Sequence, residues 1–154
     1  MTAPYAGDLT PQEAWDLLAA DPRAVLVDVR TEGEWATIGV PDTADLDAAA
    51  AGPAVDGTGT AGRTGFVEWV NGFGQPNPAF LDQLATLGVT PGDERPVVFL
   101  CRSGVRSVAA AVTATAAGLG PAYNVLTGFE GDVGPDGRRG HSGWRAAGLP
   151  WREA

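Results

Sequence analysis

Apolar β-branched segments alternate with helix-like stretches along this 154-residue chain. That alternation predicts an α/β fold, a parallel sheet with helices on both faces. Three observations carry the prediction. Val25-Leu26-Val27-Asp28-Val29 and Val97-Val98-Phe99-Leu100 are apolar runs with little alternation, as strands covered on both faces require. Capping signals precede the helical stretches, and glycines follow them. Gly and Pro, 22 and 12 residues, cluster between these segments rather than spreading through them.

Thr10-Pro11-Gln12-Glu13 starts the first helix: Thr10 caps, Pro11 suits the first helical position and Glu13 closes a capping box. Ala14, Leu17 and Leu18 then form an apolar face, and Asp21-Pro22 ends it. After the Val25–Val29 strand, Thr31-Glu32-Gly33-Glu34 offers a second capping box, with Trp35 as the buried face of a short helix. Ala48 to Gly65 is read as a Gly-rich surface loop, followed by an apolar-aromatic patch through Phe66, Trp69, Val70 and Phe73. Asn77-Pro78 is expected to cap a helix through Leu81, Leu84 and Leu87, closed by Gly88. The Val97–Leu100 strand runs into Cys101, and an Ala-rich helix from about Arg106 to Ala117 stops at Gly118. Its small side chains suit close packing on a sheet. Tyr123–Leu126 is read as the last strand, and Gly131 to Gly143 as a second Gly-rich excursion. The organisation expected is one domain over 1–154, with Gly-rich insertions at about 48–65 and 131–143.

Composition removes several function classes. One Cys excludes an internal disulfide and a CxxC redox pair, and one Cys with one His leaves too few such ligands for a structural zinc site. All ten basic residues are Arg, which excludes a lysine Schiff base and a P-loop lysine. A net charge of −9 argues against nucleic-acid partners and a basic membrane patch. No apolar run approaches a membrane span, and the first residues lack the basic and apolar regions of a signal peptide. The expected location is the cytoplasm, where a lone thiol stays reduced.

The chemistry concentrates in Leu100-Cys101-Arg102-Ser103-Gly104-Val105-Arg106-Ser107, between a buried strand and a helix N-terminus. Unpaired N–H groups at such a terminus, the helix dipole and Arg106 would all favour a thiolate at Cys101. Gly104 would allow a positive φ that turns the loop amides inward. The bland alternative, a small hydrophobe closing a core strand, is outweighed by this setting.

This segment resembles the active-site loop of the rhodanese family, Cys-x-x-Gly-x-Arg, through Cys101, Gly104 and Arg106. Leu26-Val27-Asp28-Val29-Arg30 with Glu34-Trp35 is similar to the family's first signature segment. Asn124-Val125-Leu126-Thr127-Gly128-Phe129, then Trp144 and Ala147-Gly148-Leu149-Pro150, resemble its C-terminal segment. The resemblance spans most of the chain and implies a rhodanese-like parallel-sheet domain. It further implies a thiosulfate-sulfurtransferase type of enzyme with Cys101 as persulfide carrier. Arg102, Ser103, Gly104, Val105 and Arg106 would bind the substrate, the two arginines attracting a small anionic sulfur donor. The acceptor would be a thiol, cyanide or a protein, and no metal or organic cofactor is implied.

A regulatory module that binds a partner or senses oxidants through Cys101 is the alternative from another class. Cysteine phosphatases and arsenate reductases are disfavoured, because their Cys-x5-Arg loop wraps a tetrahedral anion. Here four residues separate Cys101 from Arg106. The chain departs from the family at Ile38-Gly39-Val40-Pro41-Asp42-Thr43, where a histidine is usual after the first residue. That loss bears on local packing. Asp28 and Arg30 are expected to form an ion pair or anchor a loop. Arg138-Arg139-Gly140-His141 reads as a solvated loop or a basic spot for an anionic acceptor, and Trp69 and Phe73 as core or as an apolar wall beside Cys101.

Overall fold

The computed structural model of the chain describes residues 4–49 and 63–153. The elements before the undescribed stretch are β1 (Gly7–Leu9), α1 (Pro11–Ala20), β2 (Val25–Asp28), α2 (Glu32–Ile38), β3 (Val40–Pro41) and α3 (Ala44–Ala49). After it come β4 (Thr64–Phe66), α4 (Phe80–Thr86), β5 (Val97–Leu100), α5 (Arg106–Ala116), β6 (Ala122–Val125) and β7 (Trp151–Arg152). The central sheet has the order β1-β6-β5-β2-β4, with every neighbouring pair parallel. β3 and β7 form a separate antiparallel pair. No described helix is long and apolar enough to cross a membrane.

Period-2 alternation in the two central strands divides the core. Val25, Val27, Val97 and Phe99 pack with Leu84 of α4 and Ala110, Ala111 and Ala114 of α5. Leu26, Val98 and Leu100 pack on the opposite side with Ala14 and Leu18 of α1, Leu46 of α3 and Trp144. Helices thus cover both faces, as a parallel sheet requires. Cys101 continues the β5 alternation and falls on the α5 side. The alanines of α5 let that helix lie close to the strands, so the residues at its start stand directly over the end of β5.

Both capping boxes form: Glu13 N–H donates to Thr10 Oγ1 and Thr10 N–H to Glu13, and Thr31 and Glu34 repeat the arrangement. Other expectations are corrected. Thr64 and Gly65, read as the end of a Gly-rich loop, belong to strand β4, because they pair beside Leu26 and Val27 in the core of the sheet. Ala48 and Ala49, read as the start of the same loop, close helix α3 instead, and residues 50–62 of that reading lie outside the described residues. Asn77 does not cap α4. Its side chain accepts from Ala79 N–H in a turn just before the helix. The buried face of α4 is Phe80 and Leu84, and Leu81 is 40% exposed. β1 and β7 are too short and too polar to have stood out as strands.

One ion pair is fully enclosed at the end of β2. Arg30 Nη2 donates to Asp28 Oδ2 at 2.7 Å, Arg30 Nε to Asp28 Oδ1 at 3.0 Å, and both side chains are 0% exposed. Arg30 Nη2 also donates to the Gly39 carbonyl, and the guanidinium lies 4.3 Å from the Phe129 ring centroid. The pair therefore ties β2, the end of α2 and the segment after β6 together, which bears out the anchoring expectation. Removing one member of such a pair strands the other charge in the core, at about 3–5 kcal/mol. Asp28→Asn is expected to lose that much stability in urea unfolding. Restoring an apolar pair with Asp28→Leu/Arg30→Met should recover most of it.

Candidate active site

Cys101 follows β5 directly and is 1% exposed. Its Sγ lies 3.1 Å from the Gly104 backbone nitrogen, whose N–H points at the sulfur, and 3.1 Å from Ser107 Oγ. The tight turn that aims this N–H needs Gly104 at φ +97°, where a Cβ would press on Thr127 N and the Val125 carbonyl. α5 begins two residues later, with Val105 as its N-cap and no side-chain cap. The loop thus supplies a directed N–H to the sulfur and leaves the amides of the first helical turn beside it.

The carbonyls of Cys101 and Arg102 are held from the other side. Phe129 N–H donates to the Cys101 carbonyl at 2.8 Å, and the N–H groups of Glu130 and Gly131 both donate to the Arg102 carbonyl. Gly128 brings this strap close: a Cβ there would meet the Cys101 and Arg102 carbonyl oxygens at 2.5 and 2.7 Å. The loop backbone has no room to accept it.

Both loop arginines are committed to carboxylates. Arg106 Nη1 and Nη2 donate to the two Glu34 oxygens at 2.7 and 3.0 Å, a bidentate pair linking α5 to α2. Arg102 Nε donates to Glu130 Oε2 at 2.8 Å, with the Arg102 side chain 40% exposed. Burial pushes the Glu34 carboxyl up, but its bonds from Arg106 and from Thr31 N–H outweigh that and hold it at about 2. The same pair raises Arg106, its hydrogen bonds to Glu34 outweighing the opposing effect of burial. Glu34 therefore does two jobs, in the capping box of α2 and as the clamp on Arg106.

Ser103 and Gly104 are half-buried, and Val105 is 73% exposed at the outer edge of the loop. Phe73 is 92% exposed on a turn closed by Asn71 and does not wall the site, while Trp69 packs edge-on against Phe80. His141 bonds Asp136 at 2.9 Å, and Arg139 donates to the Gly131 carbonyl, so this basic spot is largely spent on its own loop. Four residues to which the sequence alone assigned no part in the site bear on Cys101 or its loop: Ser107, Asn124, Glu130 and Asp8. Ser107 was visible one residue after the loop. The others come from β6, β1 and the strap, which only the sheet order brings near.

Two outcomes are expected. Glu34→Gln should lower stability by about 1–2 kcal/mol at neutral pH, since hydrogen bonds between charged groups are worth that much when part-buried. Because the folded carboxyl is depressed, the wild-type advantage is present above the ordinary carboxylate range and fades as pH falls toward about 2. Urea unfolding of both proteins across pH 2–7 checks this. Gly128→Ala should fold yet lose most Cys101 reactivity toward iodoacetamide, because the strap must retreat from the loop carbonyls.

Comparison with known proteins agrees with this architecture. A family model for the rhodanese-like domain matches residues 10–133. The crystal structure of Rv0390 from M. tuberculosis is 48% identical, superposes with a TM-score of 0.79, and is covered over 99% of its length by 97% of this chain. An uncharacterised protein of Rickettsia conorii is 33% identical over 140 residues, 91% of this chain and 92% of its own. The fold also matches the polysulfide-sulfur transferase homodimer of Wolinella succinogenes, at 24% identity and a TM-score of 0.59, over 96% of this chain and 78% of that one. The chain belongs to the rhodanese-like family.

Proposed function

We propose that the protein is a sulfurtransferase that moves a sulfane sulfur from thiosulfate, or a donor of the same kind, to a thiophilic acceptor through a Cys101 persulfide. The observation that carries this reading is the hydrogen bond the loop backbone directs at the sulfur. A single N–H, that of Gly104, points at Sγ from a four-residue loop at the start of α5. Such a ring suits one additional sulfur atom more than a tetrahedral oxyanion.

In this reading the reaction runs in two steps. The Cys101 thiolate attacks the outer sulfur of thiosulfate. The S–S bond of the donor breaks, and sulfite leaves with its electron pair. The terminal persulfide sulfur carries the negative charge and takes hydrogen bonds from loop N–H groups. A thiol, cyanide or protein acceptor then attacks that sulfur, and the bond to Cys101 breaks to return the thiolate. Neither step changes the overall oxidation balance, and no metal or organic cofactor takes part. The reduced thiol this chemistry needs suits a cytoplasmic setting.

The arginine roles divide unequally in this reading. Arg106 is held at both nitrogens by Glu34, so it shapes the loop and lends its charge from a fixed position. Arg102, bound through Nε alone and partly in solvent, is the one that would draw in the anionic donor. The commitment of Arg106 also weighs against a phosphatase, whose loop arginine must face the substrate.

Treatment with thiosulfate followed by intact-mass spectrometry is the test. One added sulfur located on Cys101, absent in Cys101→Ser, is the expected result. An unmodified Cys101 after saturating thiosulfate, mercaptopyruvate and a protein persulfide donor would overturn the proposal.

A further inference from the structure

A chain of hydrogen bonds leads from Cys101 to the far edge of the sheet. Cys101 Sγ lies 3.1 Å from Ser107 Oγ, and Ser107 Oγ lies 2.5 Å from Asn124 Oδ1 on β6. Asn124 Nδ2 donates to Asp8 Oδ1 on β1 at 3.0 Å, and Tyr5 Oη donates to the same oxygen at 2.8 Å. Ser107 and Asn124 are buried, whereas Asp8 is exposed.

The direction of this chain is set at its outer end. A carboxylate only accepts, so the Asn124 group facing Asp8 is the NH₂, and the group facing Ser107 is the carbonyl oxygen. The carbonyl oxygen only accepts as well, so Ser107 spends its one hydroxyl proton on Asn124. What remains toward Cys101 is a lone pair on Ser107 Oγ. Asp8 raises the Tyr5 phenol, which keeps that group a donor and leaves Asp8 as the terminal acceptor.

We infer that Asp8, Asn124 and Ser107 are positioning residues that hold resting Cys101 as a thiol, its S–H donating to Ser107. This inference rests on the reading of Cys101 as the reacting nucleophile. Ionisation releases the sulfur proton to solvent and places a negative charge against the Ser107 lone pair. The hydroxyl then rotates to donate to the sulfur, and Asn124 Oδ1, buried on β6, gives up its partner. That lost bond opposes the thiolate, while the Gly104 N–H favours it. Ser107 is thus a two-position switch between Asn124 and the sulfur.

The charged groups around Cys101 come from four elements, α5, α2, β2 and β1, and from two loop segments. Arg106 opens α5 and is paired with Glu34 of α2, with Asp28 at the end of β2 also acting on it. Arg102 of the loop turns to Glu130 after β6. Asp8 of β1 meets the sulfur only through Asn124 and Ser107.

Alkylation of Cys101 by iodoacetamide, followed by mass spectrometry across pH 5–9, reads the switch without any sulfur donor. Asp8→Asn lets the Asn124 amide turn over, and Asn124→Leu removes the acceptor while leaving the Asp8 charge in place. Each frees the Ser107 proton for the sulfur. Each should move the pH–rate profile toward acid and raise the rate at pH 7 about three- to tenfold, the worth of one hydrogen bond. In a Ser107→Ala background Asp8→Asn should have no further effect. Asp8→Asn, an exposed substitution, serves if Asn124→Leu fails to fold.

An unmoved profile in Asp8→Asn would overturn the inference. So would an acid shift that survives undiminished in Ser107→Ala, since it would be a through-space effect of charge. If the profile shifts but no persulfide forms, sulfur transfer fails and the switch stands. If persulfide forms and the profile does not shift, the switch alone fails.

Discussion

The backbone hydrogen bonds between the Cys101–Arg102 carbonyls and the N–H groups of Phe129, Glu130 and Gly131 set the position of everything else in the site. β5 delivers Cys101 to the carboxyl end of the sheet's middle strand, but a strand end alone leaves the next peptide units free to turn either way. The strap from the end of β6 removes that freedom. It pulls both carbonyls away from the helix, so the N–H side of the loop faces the sulfur. Gly128 makes the close approach possible, and the Arg30 guanidinium against Phe129 carries the same strap to the end of β2. A buried ion pair in one strand and a backbone contact after another thus combine to aim a single N–H at one sulfur.

Charge at the site is arranged by pairing. The chain carries a net charge of −9, and its basic residues are all arginine. At the loop the two arginines answer to Glu34 and Glu130, so the local field is much weaker than a bare pair of guanidinium groups would create. What distinguishes the site is the preset direction of its donors. Planar, multiply bonded arginine suits that task better than lysine, because a bidentate pair fixes orientation as well as distance. Glu34 reaches Arg106 because the Thr31 capping box already holds its side chain at the start of α2.

The two apolar strands, the capping boxes and the Cys101 loop were legible in the sequence because each is a local pattern. A capping box needs four consecutive residues, and a buried parallel strand needs four or five. β4 escaped notice because Thr64 and Gly65 are pleat positions filled by small or polar residues beside a Gly-rich stretch. The α4 face slipped because Phe80, one position before Leu81, reaches the core through contacts with Trp69 and Phe99. At the site, the loop residues were readable in order, while the partners of the two arginines were not. Glu34 and Glu130 lie 72 and 28 residues away along the chain. Asn124 and Asp8 are likewise brought together by the β1–β6 pairing. Such partners follow from strand order, which a sequence of short strands does not state.

The most direct measurement of the central claim is sulfite release on rapid mixing with thiosulfate in the absence of any acceptor. A covalent sulfur carrier releases one equivalent of sulfite per Cys101 and then stops until an acceptor is added. Sulfite that appears only when thiosulfate and acceptor are present together would contradict the persulfide account, since it would mean direct transfer with no sulfur resting on the enzyme.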